Sequence, residues 1–204
     1  MTLAAFIGVA FVHLLAAISP GPSFVLSVRT AASEGFVPAT GLAIGFGLGA
    51  CVWAFAAIAG LALVFEVLPT VFTAAKLIGG LFLIYLAYMM WRHAPDPMPQ
   101  ITQGAAPRSL WSAIRLGTVA MLANPKPAIF FGAVFVGFIP LGATVADKAI
   151  VLFNIFWVET AWYIVVAWAF SQPRARAAYG RFKLWLDRSF GGILAILGAK
   201  IALT

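Results

Sequence analysis

Ser19-Pro20-Gly21-Pro22 and Asn124-Pro125-Lys126-Pro127 decide how this chain is read. Each interrupts an apolar run: the first lies between residues 3–18 and 23–28, the second within about 111–140. Proline has no backbone N–H and frees the carbonyl four residues earlier, so neither run continues as an unbroken helix. Unpaired backbone groups are costly in lipid, and such breaks persist there only where protein buries them or they line a cavity. Interrupted helices at corresponding places in two halves of a chain point to a transporter's binding site. The alternative is a pair of ordinary proline kinks used for packing.

Composition makes lipid the solvent. Hydrophobic residues are 63% of the chain and charged residues 9%, with a mean hydropathy of +1.03. Soluble domains carry roughly a quarter charged residues, and a water-exposed fold of 204 residues could not bury this much apolar surface. Further runs near the ~20 residues needed to span cover about 38–65, 69–91, 147–170 and 185–203. With the two broken runs they make an all-α polytopic protein of six transmembrane helices. Residues 92–110 hold Pro95, Pro97, Pro99 and Pro107 and form the linker. One transmembrane domain, 1–204, therefore divides into a repeat at about 1–91 and another at about 111–204. Three spans per repeat force the halves to cross in opposite senses, as inverted repeats. Lys76-x-x-Gly79-Gly80-Leu81 in the third span is echoed by Arg188-x-x-Gly191-Gly192-Ile193 in the sixth.

The net charge of +7 is unevenly spread. Arg29, Arg92, Arg108, Arg115, Arg174, Arg176, Arg181, Lys183 and Arg188 fall on one side, and only Lys148 and Lys200 on the other. The positive-inside rule then puts both termini away from the cytoplasm. No segment outside the spans could build a basic nucleic-acid surface. Residues 174–188 mix these charges with Phe182, Leu184, Trp185 and Leu186, and part of that segment is expected to lie along the membrane surface. Trp53, Trp91, Trp111 and Trp185 read as interfacial anchors. Met1-Thr2-Leu3 lacks the basic region of a cleaved signal, so the first run is read as a retained helix. The single cysteine, Cys51, gives no disulfide framework or thiolate metal site, and no metal or cofactor is expected.

Ionisable groups within spans are functional candidates. Glu159, in the middle of the fifth span, is the expected proton carrier, with a structural partner for a bundle cation as the alternative. Tyr163 follows on the same face and is placed to hydrogen-bond it. His13, about two turns before the first break, is assigned to the same proton-coupling set, with a purely structural hydrogen bond as its alternative. Lys126, inside the second break, could hold a substrate carboxylate, neutralise Glu159 in the empty state, or snorkel to the interface. Gly21 holds the equivalent place in the first break, where backbone can approach closely. Amides freed after Pro22 are expected to face an anion, as at a helix N-terminus. Ser19, Pro20, Gly21, Pro22, Asn124, Pro125, Lys126 and Pro127 are thus the expected substrate site. Gly41, Gly45 and Gly49 share one face of the second span and read as a close helix-packing surface.

Taken together, Ser19-Pro20-Gly21-Pro22, the glycine-rich second span, Lys76 with Gly79-Gly80, Asn124-Pro125-Lys126, and Arg188 with Gly191-Gly192 resemble the LysE/RhtB family of amino-acid exporters over nearly the whole chain. The resemblance implies export of amino acids or their derivatives across the bacterial inner membrane, driven by the proton gradient, from a homodimer. One departure bears on substrate. Many relatives carry an acidic residue in the second span where this chain has Ala50-Cys51-Val52-Trp53, which speaks against cationic amino acids. No Walker loop is present, so ATP drive would need another subunit. An exporter of metal ions or other small solutes is the alternative. A membrane enzyme ranks below it, because a chain with two histidines, one of them in the linker, offers no clustered ligands or nucleophile–base pair.

Overall fold

The computed structural model describes residues 1–67, 69–97, 107–134, 139 and 142–203, without the side chains at 61–67, 69–76, 79, 125, 133–134 and 175–176. The side chains of Lys76, Gly79, Pro125 and Arg176, and the far end of the fourth apolar run, therefore lie outside the described residues. Every described regular element is helical. They are α1 (Leu3–Ile18), α2 (Pro22–Ser33), α3 (Phe36–Val67), α4 (Pro69–His93), α5 (Leu110–Ala123), α6 (Pro125–Ile129) running into a π-helical turn at Phe130–Val134, α7 (Val145–Ser171) and α8 (Pro173–Leu203). By length and composition, α3 (over Phe36–Gly60) and α7 can each cross a membrane, and α1 with α2, bent by 66°, makes a third candidate.

One local cause ends several of these helices. Ser19 (φ −56°, ψ 120°), Asn124 (φ −82°, ψ 120°) and Gln172 (φ −106°, ψ 123°) each precede a proline. The proline ring excludes the helical region for the residue before it. Each proline then sits near a helix start, where its missing N–H costs nothing. Gly35, at φ +97°, closes α2 in the left-handed conformation that glycine tolerates best, and its N–H returns to the Thr30 carbonyl at 3.2 Å. Thr2, Ser109 and Thr144 cap the starts of α1, α5 and α7 through their side chains, and Thr144 forms a full capping box with Asp147.

α3 is the hub, packed on α5 along one face and on α7 along another. Gly41, Gly45 and Gly49 meet α5 in register. A Cβ at Gly41 would stand 2.8 Å from the Ala113 Cβ, one at Gly49 2.6 Å from the Met121 Cβ, and one at Gly45 would collide with the Ile114 carbonyl. Both sequences ascend together, so α3 and α5 run parallel. α7 is antiparallel to α3: Gly47 lies against Phe156 and Thr160, while Cys51 Sγ reaches the Leu152 carbonyl at 3.3 Å. α4 and α8 form a second antiparallel pair, with Gly80 against Gly198 and Ala202, and Gly191 against Trp91.

Ionic contacts tie the helix ends together. The Met1 ammonium lies 2.8 Å from Asp147 at the starts of α1 and α7. At the opposite end of α1–α2, Arg108 grips the Glu34 carboxylate through its backbone N–H, Nε and Nη2 at 2.7–3.0 Å. Lys183 of α8 donates to the His93 and Ala94 carbonyls closing α4, at 2.7 and 3.1 Å, and lies 2.9 Å from Asp187. Residues 174–188 form the first half of α8, which runs on to Leu203. Trp91 and Trp53 also tie helices together: their Nε1 groups donate to the Arg188 and Met121 carbonyls at 2.9 and 3.3 Å. Trp91, Trp111 and Trp185 are exposed.

Candidate functional site

The two helix breaks open onto one cavity, bounded by α1, α2, α3, the α5–α6 junction with its π turn, and α7. It encloses about 400 Å³ of non-atom space, part of it open to the exterior. Its polar side is made by His13, Ser23, Asn124, Lys126, Glu159 and Tyr163. Ala16, Ala17, Ala50 and Met121 make the apolar side, with Phe130 and Phe131 from the π turn.

The expected residues converge, with a change of partners. His13 Nε2 lies 2.9 Å from Glu159 Oε2, and both residues are almost completely buried, at 2% and 4% exposure. The imidazole stacks on Phe130 with ring centroids 6.0 Å apart and tilts against Phe131 at 5.5 Å. Removing a carboxylate from water is costly unless it is paired, and His13 provides that pair from the neighbouring helix. Tyr163 does not bond Glu159 as its spacing suggested. Its hydroxyl reaches the Ser23 side chain of α2, and its ring lies edge-on to Phe46 at 4.7 Å. One turn nearer the first break than Glu159, Tyr163 meets α2, whereas Glu159 meets α1.

Lys126 does not pair with Glu159 either. Its ammonium donates to the Ser19 backbone carbonyl, joining one break to the other. The lysine stem runs beside Gly21, where an added Cβ would stand 3.4 Å from Cδ and 3.6 Å from Nζ. Gly21 thus leaves room for a cation rather than a ligand alone. Asn124 organises the second break: its Oδ1 accepts from the Lys126 N–H at 3.1 Å and its Nδ2 donates to Ser23 Oγ at 3.2 Å. No side chain caps the start of α2, which begins at Pro22 behind an extended Gly21. Two buried polar atoms, His13 Nδ1 and Ser19 Oγ, have no hydrogen-bond partner among the described residues. Sequence reasoning missed Ser23, Ala16, Ala17, Met121, Phe130 and Phe131, and met Ala50 only as part of the stretch that lacks an acid. Ser23 follows the first break directly and could have been found there; the others carry no local signal.

An apolar helical bundle enclosing a cavity lined by ionisable groups of both signs fits the class of membrane translocators. The comparisons with known proteins narrow that class. The family model described as LysE type translocator matches residues 14–204, and the chain belongs to this family. It is 35% identical over 207 residues to the threonine efflux protein of Escherichia coli (strain K12), covering 98% of each chain. Identity to the threonine efflux protein of Salmonella typhi is 33% over 206 residues, again with 98% of each covered. The leucine efflux protein of Enterobacter sp. (strain 638) is 30% identical over 126 residues, covering 61% of this chain and 59% of that one. No solved structure matches.

Proposed function

We propose that the protein exports amino acids or closely similar small solutes across the bacterial inner membrane, in exchange for protons and by alternating access. The observation that carries this reading is the meeting of Lys126 with the buried His13–Glu159 pair in one cavity between two helix breaks. A zwitterion needs a cation and an anion a short distance apart. Lys126, with the uncapped first amides of α2, offers its carboxylate a positive end. Glu159 faces its ammonium. A proton taken up by the His13–Glu159 pair cancels the negative charge that the ammonium requires. Proton and amino acid then exclude one another, and mutual exclusion at one site is the thermodynamic basis of exchange. The efflux functions in the names of the threonine and leucine relatives support the same substrate class. A metal cation would meet the repulsion of Lys126, which disfavours the metal-export alternative.

In this state Lys126 is tied to the Ser19 carbonyl and Glu159 to His13, so an amino acid enters only when those contacts and the walls around them part. Ser19, Pro20, Gly21 and Pro22 in one half, with Asn124, Pro125, Lys126 and Pro127 in the other, form the hinged pair that moves. Six crossings in two inverted repeats, about 1–91 and 111–204 joined by 92–110, fit the contacts. Under that topology the Met1–Asp147 pair falls on one side, and the Glu34–Arg108 and Lys183–His93 contacts on the other. The second side also carries the excess Arg and Lys, which makes it cytoplasmic and puts both termini outside. The working unit is a homodimer.

A flux screen on purified, reconstituted protein at two pH values tests the function. Counterflow of at least one neutral amino acid, stimulated by an inward proton gradient, is expected. Absence of amino-acid counterflow at both pH values would sink the reading.

A further inference from the structure

We propose that the outer face where α8 meets α4 holds an anionic phospholipid, its phosphate on Arg188 and its acyl chains along the apolar surface deeper in the bilayer. Arg188 opens the motif Arg188-x-x-Gly191-Gly192, none of which lines the cavity between the breaks. Arg181, Trp185, Arg188, Gly192 and Ile196 follow one another at three or four residues along α8 and so share one face. Arg181, Trp185, Arg188 and Ile196 are exposed and Gly192 is half-buried. A Cβ added at Gly192 would meet nothing within 4 Å. The face is therefore open from the arginines into the apolar half of the helix.

Trp91 sets the posture and the depth of Arg188. Its indole lies beside Gly191, and its Nε1 donates to the Arg188 carbonyl at 2.9 Å. The Arg188 guanidinium stands over the same ring, 6.0 Å from its centroid, within cation–π reach. Trp91 and Trp185 are both exposed, and exposed indoles mark the level of the lipid headgroups. Lys183, which reaches the carbonyls closing α4, lies on the aqueous side of that level. On the other side the exposed surface turns apolar, with Ile84 and Tyr88 on α4 and Ile193 and Ile196 on α8. Arg188 is thus held where headgroups give way to chains, and the protein supplies it no counter-charge. Among the described residues the paired carboxylates are Glu34, Asp147, Glu159 and Asp187, whose partners are Arg108, the Met1 ammonium, His13 and Lys183. Arg181, two turns or about 10.5 Å further toward water, adds to the same attraction. A zwitterionic headgroup brings its own cation to this pair of arginines, whereas phosphatidylglycerol brings net negative charge.

The test is native mass spectrometry of the purified full-length protein, titrated in detergent with dioleoylphosphatidylglycerol or dioleoylphosphatidylcholine. Phosphatidylglycerol should bind more tightly by at least about fivefold, the effect of one arginine beside an anionic headgroup. Arg188→Gln keeps the backbone carbonyl that receives Trp91 Nε1 and should lose that preference, while Arg188→Lys should keep most of it. Arg115→Gln removes an equally exposed arginine from α5, which packs on α3, and should leave the preference intact. That control separates a site from the diffuse attraction of a basic side for acidic lipid. Wild-type binding of the two lipids within about twofold would overturn the proposal, and so would equal losses in Arg188→Gln and Arg115→Gln. Full displacement of phosphatidylglycerol by millimolar inorganic phosphate would assign the site to a free anion and overturn the lipid. None of these readouts involves transport, so their failure leaves the proposed function untouched.

Discussion

Replacing Lys126 with methionine keeps a stem of similar length beside Gly21 and removes the ammonium that spans the two breaks. Two stability effects follow, with opposite signs. The Ser19 carbonyl loses a charge-assisted hydrogen bond, a contribution of about 1.5–3 kcal/mol. The fold also no longer carries a half-buried cation, whose desolvation offsets much of that sum. Thermal stability should therefore change by less than about 2 kcal/mol, and the protein should stay folded. Binding is different, because the substrate carboxylate would enter a low-dielectric cavity with no cation to meet it. Truncating one partner of a buried charge pair costs about 2–5 kcal/mol, which is roughly 30-fold to several thousandfold in Kd. Equilibrium binding of L-threonine and of its methyl ester to wild type and Lys126→Met measures this directly. The free acid should lose affinity on that scale, while the ester, which has no carboxylate, should change by less than about threefold. Equal loss for both ligands would mean that Lys126 shapes the breaks and does not bind the carboxylate. Unchanged binding of the acid would refute the assignment outright.

Three further expectations concern other parts of the molecule. Glu159→Gln keeps the size of the buried side chain but cannot take up a proton, so efflux in proteoliposomes should lose its response to a pH gradient; full pH-dependent transport would contradict the coupling role. In Gly45→Ala the new methyl would meet backbone, including the Thr118 nitrogen at 2.7 Å, so no rotamer change relieves it. The melting temperature should fall by an amount matching about 1–3 kcal/mol, whereas Gly8→Ala, with no atom within 4 Å of the added carbon, should be neutral or slightly stabilising. At Glu34, burial raises the carboxyl pKa, but the hydrogen bonds and charge of Arg108 outweigh it and the net shift is downward from 4.5. A lowered folded value means that the pair stabilises fully above pH 4.5 and that its contribution is lost as pH falls below it. Acid unfolding of Glu34→Gln should accordingly be shallower than that of wild type.

Much of the site was legible because its residues break local rules. Pro-x-Pro inside an apolar run can be read without a partner, and helix boundaries at Ile18, Pro22, Ala123 and Pro125 stand where those prolines lie. Glu159 and His13 were conspicuous as polar residues in apolar stretches. Their pairing was not legible, because it depends on α1 and α7 lying side by side, and residue spacing along α7 instead suggested Tyr163 as the partner. Lys126 shows the same limit: the sequence offered substrate, Glu159 and the interface, and folding chose a backbone carbonyl freed by the other break. Ala50, Met121 and the Phe130–Phe131 pair are ordinary apolar residues, indistinguishable in sequence from lipid-facing ones. The contacts along residues 174–188 were equally hidden: Lys183 reaches the end of α4, while Tyr179 packs on Phe24 and Phe170, pairings that exist only once those helices are in place.

The central claim is that a proton and an amino acid compete for the same buried pair. Proton release on binding tests it most directly. Purified protein in a weakly buffered solution, at a pH where the His13–Glu159 pair is proton-loaded, is mixed with saturating L-threonine while the pH is followed. The account predicts release of close to one proton per bound threonine, falling toward zero as the starting pH rises, and no release in Glu159→Gln. Saturable binding with no proton release across the whole acid range would contradict it.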